Sequence, residues 1–504
     1  MKTKNKAMKK FWAASFSMMI LLTGCTAQVD QKSEVTKEET PKTNTATVEE
    51  ETKEEIQEEI QEETKELSKT EQAKAELDFG GETIVFCYPP GYGMIDPTGT
   101  SIPLARRDAR IEELEKKYNV NIEQRDDAST YWENMVTSIA SGAPEGHIMV
   151  TQERQLLSWV EAGAVADLTE AMEKTGIDFK DDSKYSQIVR KYSAFNDGQF
   201  GFSDPAPHIT QPYWFYNKRI FEEMQLGDPY EMVANKEWTW DKVTEIAQKA
   251  TIRKSDGTIE QYGLGTMIVG DFLNALCQSN GTNIATFDEN GKAILTLDQP
   301  EAMKAFQQMS DWLFKDKVAL FNDGSLDWDA TIKDFINGNV AIMCGNNPIL
   351  GNAKGTPMAD DFGILPPPMG PDVDDYTIGG SMGQFYFIPK TYEDMADKLL
   401  LLIDDLYELP EGMTREDTVI ESYATHVRDE QSLENYIDMA LNYDTSIYEI
   451  SVISGLDWSS PSINEMCKKV VNGEGTPADL VEQNKVQLQT LLDDKFSKLR
   501  FTGK

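Results

Sequence analysis

Along the chain from residue 79 onward, apolar and polar positions alternate in two different periods. Short apolar runs, ETIVFCY at 82–88 and HIMVT at 147–151, have the length and composition of buried strands. Between them, RRDARIEELEKKYNV (106–120) carries apolar residues at helical spacing, NIEQRD extends again, and YWENMVTSIASG returns to the helical period. Strand and helix thus take turns, and this alternation predicts an α/β lobe with a mainly parallel sheet.

The same reading continues through the rest of the chain. LLSWVEAG predicts a helix, and QFGFSDP and YWFYNK (213–218) predict strands. TWDKVTEIAQKAT predicts a helix capped by Thr239, with Asp241 in its first turn. YGLGTMIV follows, then a helix from about Phe272, a hairpin at DENGK (288–292) and a long helix over PEAMKAFQQMSDWLFKDK. DATIKDFINGNVAIMCG reads as helix, glycine turn and strand, and from Asp394 the pattern is nearly all helical. No repeat of fixed period is visible. Trp238, Trp240, Trp312 and Trp328 are read as packing residues. In YWFYNK, strand alternation sends one of Tyr213 and Trp214 inward and the other toward a cleft or solvent, with Tyr213 favoured for a ligand.

The first residues follow neither period. Lys2, Lys4, Lys6, Lys9 and Lys10 precede an apolar stretch over 11–22, which is shorter than the roughly twenty residues a membrane span requires. That order is a secretion signal over 1–24. LLTGC (21–25) resembles the lipobox of bacterial lipoproteins, which implies a diacylglyceryl group on Cys25 and a mature protein held on the outer face of the cell membrane. Acyl anchoring of this kind gains about 0.8 kcal/mol per buried methylene. Residues 25–78 are rich in Glu, Thr, Lys and Gln and poor in large apolar residues, so they are expected to form a lipidated, disordered tether. As a coil the tether reaches about 40 Å, and about 170 Å when stretched.

A net charge of −38 argues against a nucleic-acid partner, whose phosphates need basic grooves. Beyond Cys25, the cysteines Cys87, Cys277, Cys344 and Cys467 are widely spaced and form no C-x-x-C pair. They are expected to be buried free thiols, with neither a metal site nor a disulfide framework.

At WFYNKRIFEEM, with WTWDKVTEIAQKAT behind it, the chain resembles the family 1 extracellular solute-binding proteins, the group of the maltose and maltodextrin-binding protein. SGAPE (141–145), INGNVAIMCGNNP (336–348), FGILPPPMGP (362–371), GGSMGQFYFIPK (379–390) and the C-terminal DWSSPSINEMCKKVVNGEGTPADLVEQ carry the resemblance onward in the family's order. A departure stands at SGAPEGHI, where Glu145, Gly146 and His147 replace the family's usual Pro-Asp and aliphatic residue. The resemblance implies an α/β, two-lobed periplasmic-binding-protein-like fold of type II, each lobe a sheet flanked by helices, with the ligand cleft between the lobes. It places an N-terminal lobe at 79–205, rejoined by about 350–400, and a C-terminal lobe at 206–349 with a helical closing segment over about 401–504.

The function it implies is capture of a small solute, a mono- or oligosaccharide, by lobe closure, with delivery to the permease subunits of an ABC importer. A monomer without cofactor is expected. Sugars offer apolar faces for stacking and hydroxyls for carboxylates and amides. Positions matching the family's ligand loops are Tyr92, Gln152, Glu153, Arg154, Gln211, Tyr213, Asp271, Asn274, Asn346, Gly380, Ser381 and Trp458. Trp458 stands first among them because the family puts a stacking aromatic just before its closing helices.

GGSMG also matches G-x-S-x-G, with Ser381 as nucleophile and Asp404 or Asp405 and His426 downstream. A nucleophile elbow needs a helix straight after the serine. QFYFIP follows instead and reads as a strand, so the chain is read as a binding protein and not an enzyme. A surface receptor or adhesin is the first alternative, and a secreted serine hydrolase using Ser381 the lesser one.

Overall fold

The computed structural model describes residues 67–89, 104–125, 131–151, 153–203, 209–210, 213–327, 329–345, 358–382, 385–424, 427–441, 447–456 and 460–503. All of them lie in one compact unit, Leu67–Lys504. The secretion signal, Cys25 and most of the tether lie outside the described residues. No helix among the described residues is long and apolar enough to cross a membrane.

Strands β1 (Thr83–Cys87), β2 (Asn121–Arg125) and β3 (Ile148–Thr151) open a first sheet. Then β4 (Tyr213–Asn217), β5 (Ile259–Ile268), β6 (Ala319–Asn322), β7 (Val340–Gly345) and β8 (Phe362–Leu365) build a second, and β9 (Phe385–Phe387) returns to the first. The first sheet runs β9-β3-β1-β2, with β1 parallel to both neighbours (Phe86 opposite Ile148, Val85 opposite Glu123) and β9 antiparallel. The second runs β6-β5-β7-β4-β8, with β6 and β7 parallel to β5 and with β4 antiparallel to both its neighbours. The α/β expectation holds in both lobes.

Helices cover both faces of the second sheet, so its central strands read as continuous apolar runs without alternation. Every residue of β4 and of β7 is buried. Trp214 (0% exposed) meets Trp238, Phe272 and Trp312 at ring-centroid distances of 6.2–6.5 Å. The Trp240–Ala250 helix starts as expected, its Thr239 hydroxyl accepting from the Lys242 N–H. DENGK turns the hairpin between Ala285–Phe287 and Ala293–Leu295. Elsewhere the elements differ in detail. The helix expected from Phe272 starts at Val269, and the long helix at Pro300 gives way after Ser310 to a π-helical turn, Asp311–Lys315. QFGFSDP makes only the two-residue strand Gly198–Gln199 and a bridge from Phe202 to Tyr386.

Two boundaries need correction. The tether does not run to residue 78: Ser68 and Glu71 form a capping box on the helix Lys69–Ala75, and Leu77 and Phe79 are buried. From that helix Lys74 reaches Asp404 (2.6 Å) and Asp405. The return to the first lobe also begins later than 350 and ends later than 400. Phe362–Leu365 joins the second sheet, where Phe362 packs edge-on to Phe215, whereas the Ala396–Leu406 helix buries Leu399, Leu400 and Leu402 in the first lobe's core.

The departure at Gly146 and His147 is a packing device. A β-carbon at residue 146 would lie 2.6 Å from that of Cys87, and His147 accepts the Val85 N–H on Nδ1 while stacking on Tyr392.

Candidate ligand cleft

In each sheet the chain reverses its direction of winding at one point. From β1 it crosses to β2 on one side, while β3 lies on the other; from β5 it crosses to β6 on one side, while β7 lies on the other. At such a switch point the segments leaving two adjacent parallel strands part company and leave a crevice at the carboxyl ends. By their place in the chain, several of the candidate residues follow the strands that flank these two points. In the first lobe Tyr92 belongs to the segment after β1, and Gln152, Glu153 and Arg154 follow β3 directly. Tyr92, Gln152 and the side chains of Glu153 and Arg154 lie outside the described residues, but Glu153 and Arg154 are placed at the start of a helix, Glu153–Glu161.

In the second lobe Asp271 and Asn274 sit on the helix Val269–Ser279 that follows β5. Asn346 comes next after β7, whose last residue Gly345 pairs with Tyr213 at the start of β4. Asp271 lies close enough to Cys344 for its charge, after burial, to help push that thiol well above its usual pKa. Tyr213 is the exception among these. It is 2% exposed and stacks on Tyr436 with ring centroids 5.4 Å apart. The expected split between Tyr213 and Trp214 therefore fails, because a strand covered on both faces buries both rings. Asn346, Gln211 and Trp458 lie outside the described residues.

Gly380 and Ser381 occupy a different place. Ile209–Thr210 and Ser381–Met382 pair antiparallel, and they are the segments by which the chain passes from the first lobe to the second and back. This crossing pair stands where a two-lobed fold has its hinge. The Gly380 carbonyl accepts from the Gln278 amide at 3.3 Å and from the Glu449 N–H, and the Gly380 N–H donates to Ile447. At residue 379 a β-carbon would lie 2.7 Å from the Ile447 carbonyl, so this close approach requires glycine. Ser381 is thus followed by a strand and not by a helix, and the nucleophile-elbow geometry is not met.

Two residues at this junction were not singled out from the sequence. Glu449 is fully buried; its carboxylate accepts the N–H groups of Ile284 (2.6 Å), Ala285 (3.1 Å) and Ser451 (2.8 Å). Burial outweighs those three bonds and pushes its pKa up to about 7. A lone carboxylate inside the apolar run IYEI was the available signal. Asn464 accepts the Gly270 N–H at 2.9 Å and ties the first turn of the Val269–Ser279 helix to the C-terminal helices. The four described cysteines are buried, and none of them is joined in a disulfide. Among the described residues no group of three His, Cys, Asp or Glu side chains is placed to hold a metal ion.

A profile of the bacterial extracellular solute-binding proteins matches residues 103–401. The chain belongs to that family. Solved structures of similar fold include Lmo0181 of Listeria monocytogenes in complex with cycloalternan, at 17% identity and a TM-score of 0.55, covering 82% of this chain and 99% of that one. UgpB of Mycobacterium tuberculosis with glycerophosphocholine has 14% identity and a TM-score of 0.56, covering 82% and 99%. The maltose/maltodextrin-binding domain MalE of Bdellovibrio bacteriovorus with maltotriose has 15% identity and a TM-score of 0.54, covering 82% and 100%. At these identities the likeness establishes the fold: this solute-binding protein has the two-lobed architecture of its neighbours.

Proposed function

We propose that this solute-binding protein takes up a mono- or oligosaccharide between its lobes and presents it to the permease of an ABC importer, held on the outer face of the cell membrane by a lipid on Cys25. One observation carries the reading. Each lobe has a switch point, the helices that leave these points carry Glu153 and Arg154 in one lobe and Asp271 and Asn274 in the other, and the Ile209–Thr210 and Ser381–Met382 pair joins the lobes. A solute seated there meets both lobes only when they close, and that difference in contact shifts the population toward the closed form. Sugar-binding neighbours such as the cycloalternan and maltotriose complexes support a saccharide. A lipid hook suits a cell that has no outer membrane to retain a secreted binder.

The test is a thermal-shift screen of the mature chain carrying Cys25→Ala, which keeps residues 67–78, against mono- and oligosaccharides and glycerophosphocholine. A cognate sugar at a hundred times its dissociation constant stabilises the fold by about 2.7 kcal/mol. A response to glycerophosphocholine alone, or none to any sugar, removes the saccharide assignment.

A further inference from the structure

The buried polar atoms of the molecule are nearly all satisfied, which makes the exceptions informative. Among the described residues, the amide oxygens Gln155 Oε1, Asn274 Oδ1 and Asn283 Oδ1 are buried acceptors without a hydrogen-bond partner. Ser203 and Thr331 also have buried, unpartnered oxygens, but these are hydroxyls, which donate as well as accept. Gln155 and Asn274 stand apart by location, since one lies on the Glu153–Glu161 helix that leaves β3 and the other on the Val269–Ser279 helix that leaves β5, whereas Asn283 follows the far end of that second helix. Each lobe contributes one.

Their orientation follows from helical spacing. Asp271, Asn274 and Gln278 share a face. Asp271 acts on Cys344 near the end of β7, and Gln278 donates to the hinge carbonyl of Gly380. Asn274 lies between them, on the stretch that runs from the strand ends to the hinge. On the other helix, Ser158 follows Gln155 by one turn and accepts from Lys495 Nζ at 2.8 Å, and the helix Ser451–Ser454 packs alongside. Leu156 and Leu157 turn into the core, while Trp159, one turn on from Gln155 at i+4, packs against Phe387 of β9. Gln155 therefore lies between the C-terminal segment that Ser158 meets and β9, which follows the Ser381–Met382 crossing.

A buried acceptor with no donor lowers stability, whereas replacing it by an apolar group of like shape does not. We infer that Gln155 and Asn274 are specificity-determining residues, one from each lobe, whose amide oxygens are held unpaired to accept hydrogen bonds from hydroxyl donors of the bound solute. This inference rests on the saccharide reading for the identity of the donors, and on geometry alone for the two acceptors.

Asn274→Leu and Gln155→Met remove the oxygens at nearly constant volume. With the saccharide giving the largest shift in the wild type as probe, and maltotriose first in line, each variant is expected to bind about tenfold more weakly, while its ligand-free melting temperature stays level or rises. Gln155→Glu retains an acceptor and is expected to stay within about threefold of wild type. Affinity unchanged in both apolar variants overturns the inference, as does a drop in ligand-free melting temperature with affinity kept, the mark of a structural water at the oxygen. If no sugar binds the wild type, the saccharide reading falls. The ligand-free melting temperatures still decide the acceptors: a rise in both variants supports unpaired oxygens, and a fall overturns them.

Discussion

The two lobes solve the same topological problem with different cohesion. Around the second sheet the interior is aromatic, with Trp214, Trp238, Trp312 and Phe272 in mutual ring contact and with the Trp238 and Trp312 indoles donating to Pro366 O (3.0 Å) and Thr244 Oγ1 (2.7 Å). Under the first sheet a buried ionic cluster sits at the end of the Ala396–Leu406 helix. Asp404 takes Lys74, Lys184 and the Tyr185 phenol, while Asp405 takes Lys74, Lys117 and the Tyr118 phenol. Burial pushes both carboxyls up, but the lysines and phenols overcome it and hold them below the usual range, Asp405 far below. The aromatic cluster, whose indoles donate to a carbonyl and a hydroxyl, carries no titrating group and tolerates any pH. A buried cluster of charges holds only while every partner is present and ionised.

The largest effect is expected from the aromatic side. Trp238→Ala should cost about 3–5 kcal/mol, the usual penalty for emptying so large a buried side chain. Urea unfolding reads the total. Hydrogen exchange locates the loss, expected first in β4, β5 and β7, with β1 and β3 retaining protection. Equal loss of protection in both sheets would mean that the lobes share one cooperative core, and the comparison would break.

On the ionic side the informative residue is Lys74, because it comes from the segment before the first strand and has 11% of its side chain exposed. Lys74→Met is expected to cost about 2 kcal/mol, less than full disruption because Lys117 and Lys184 remain on the two carboxylates. A chain begun at residue 79 should lose at least as much. Surface pairs fade in high salt and buried ones do so far less, so the cost should persist in 1 M salt. A cost below about 0.5 kcal/mol, or one that salt abolishes, would reduce the cluster to a surface feature.

Lys74 also shows where sequence reading stopped. The periodic segments were legible because their pattern is local: the helix at Leu104–Tyr118, the strands at Thr83–Cys87 and Ile148–Thr151 and the cap at Thr239 all stand where expected. Ser68 and Glu71 spell a capping box as well, but within a Glu- and Lys-rich tract the apolar partner that recruits the helix is absent locally and lies beyond residue 390. The same non-locality moved Phe362–Leu365 to the second sheet. At the cleft, Asp271 and Asn274 stand on the helix that leaves β5, yet an Asn or Gln looks ordinary until its surroundings are known, and Gln155 went unnoticed. Tyr213 misled because alternation applies to strands with one wet face.

The smallest expected effect lies at the junction, where Glu449 inverts the rule that governs Asp405. Asp404 and Asp405 have depressed pKa values, so their contribution is present above the ordinary aspartate range and is lost as pH falls through the acid region. Glu449 has a raised value, about 7 against an ordinary 4.5. The folded state therefore holds its proton where the unfolded chain has released it, and stability falls as pH rises from 4.5 through 7. With those two values the loss between pH 6 and pH 8 is about 1 kcal/mol. Glu449→Gln removes the titration while filling the same space, so the difference between wild type and variant should change by that amount across the interval, whatever the offset between them. Because the Glu449 backbone is bonded to the hinge carbonyl of Gly380, the slope should appear in ligand affinity too if protonation alters the hinge, and in stability alone if it does not. A flat difference from pH 6 to pH 8 would mean that the three N–H donors hold the carboxylate ionised at neutral pH, and that the junction, like the ionic cluster of the first lobe, has overcome the cost of burial.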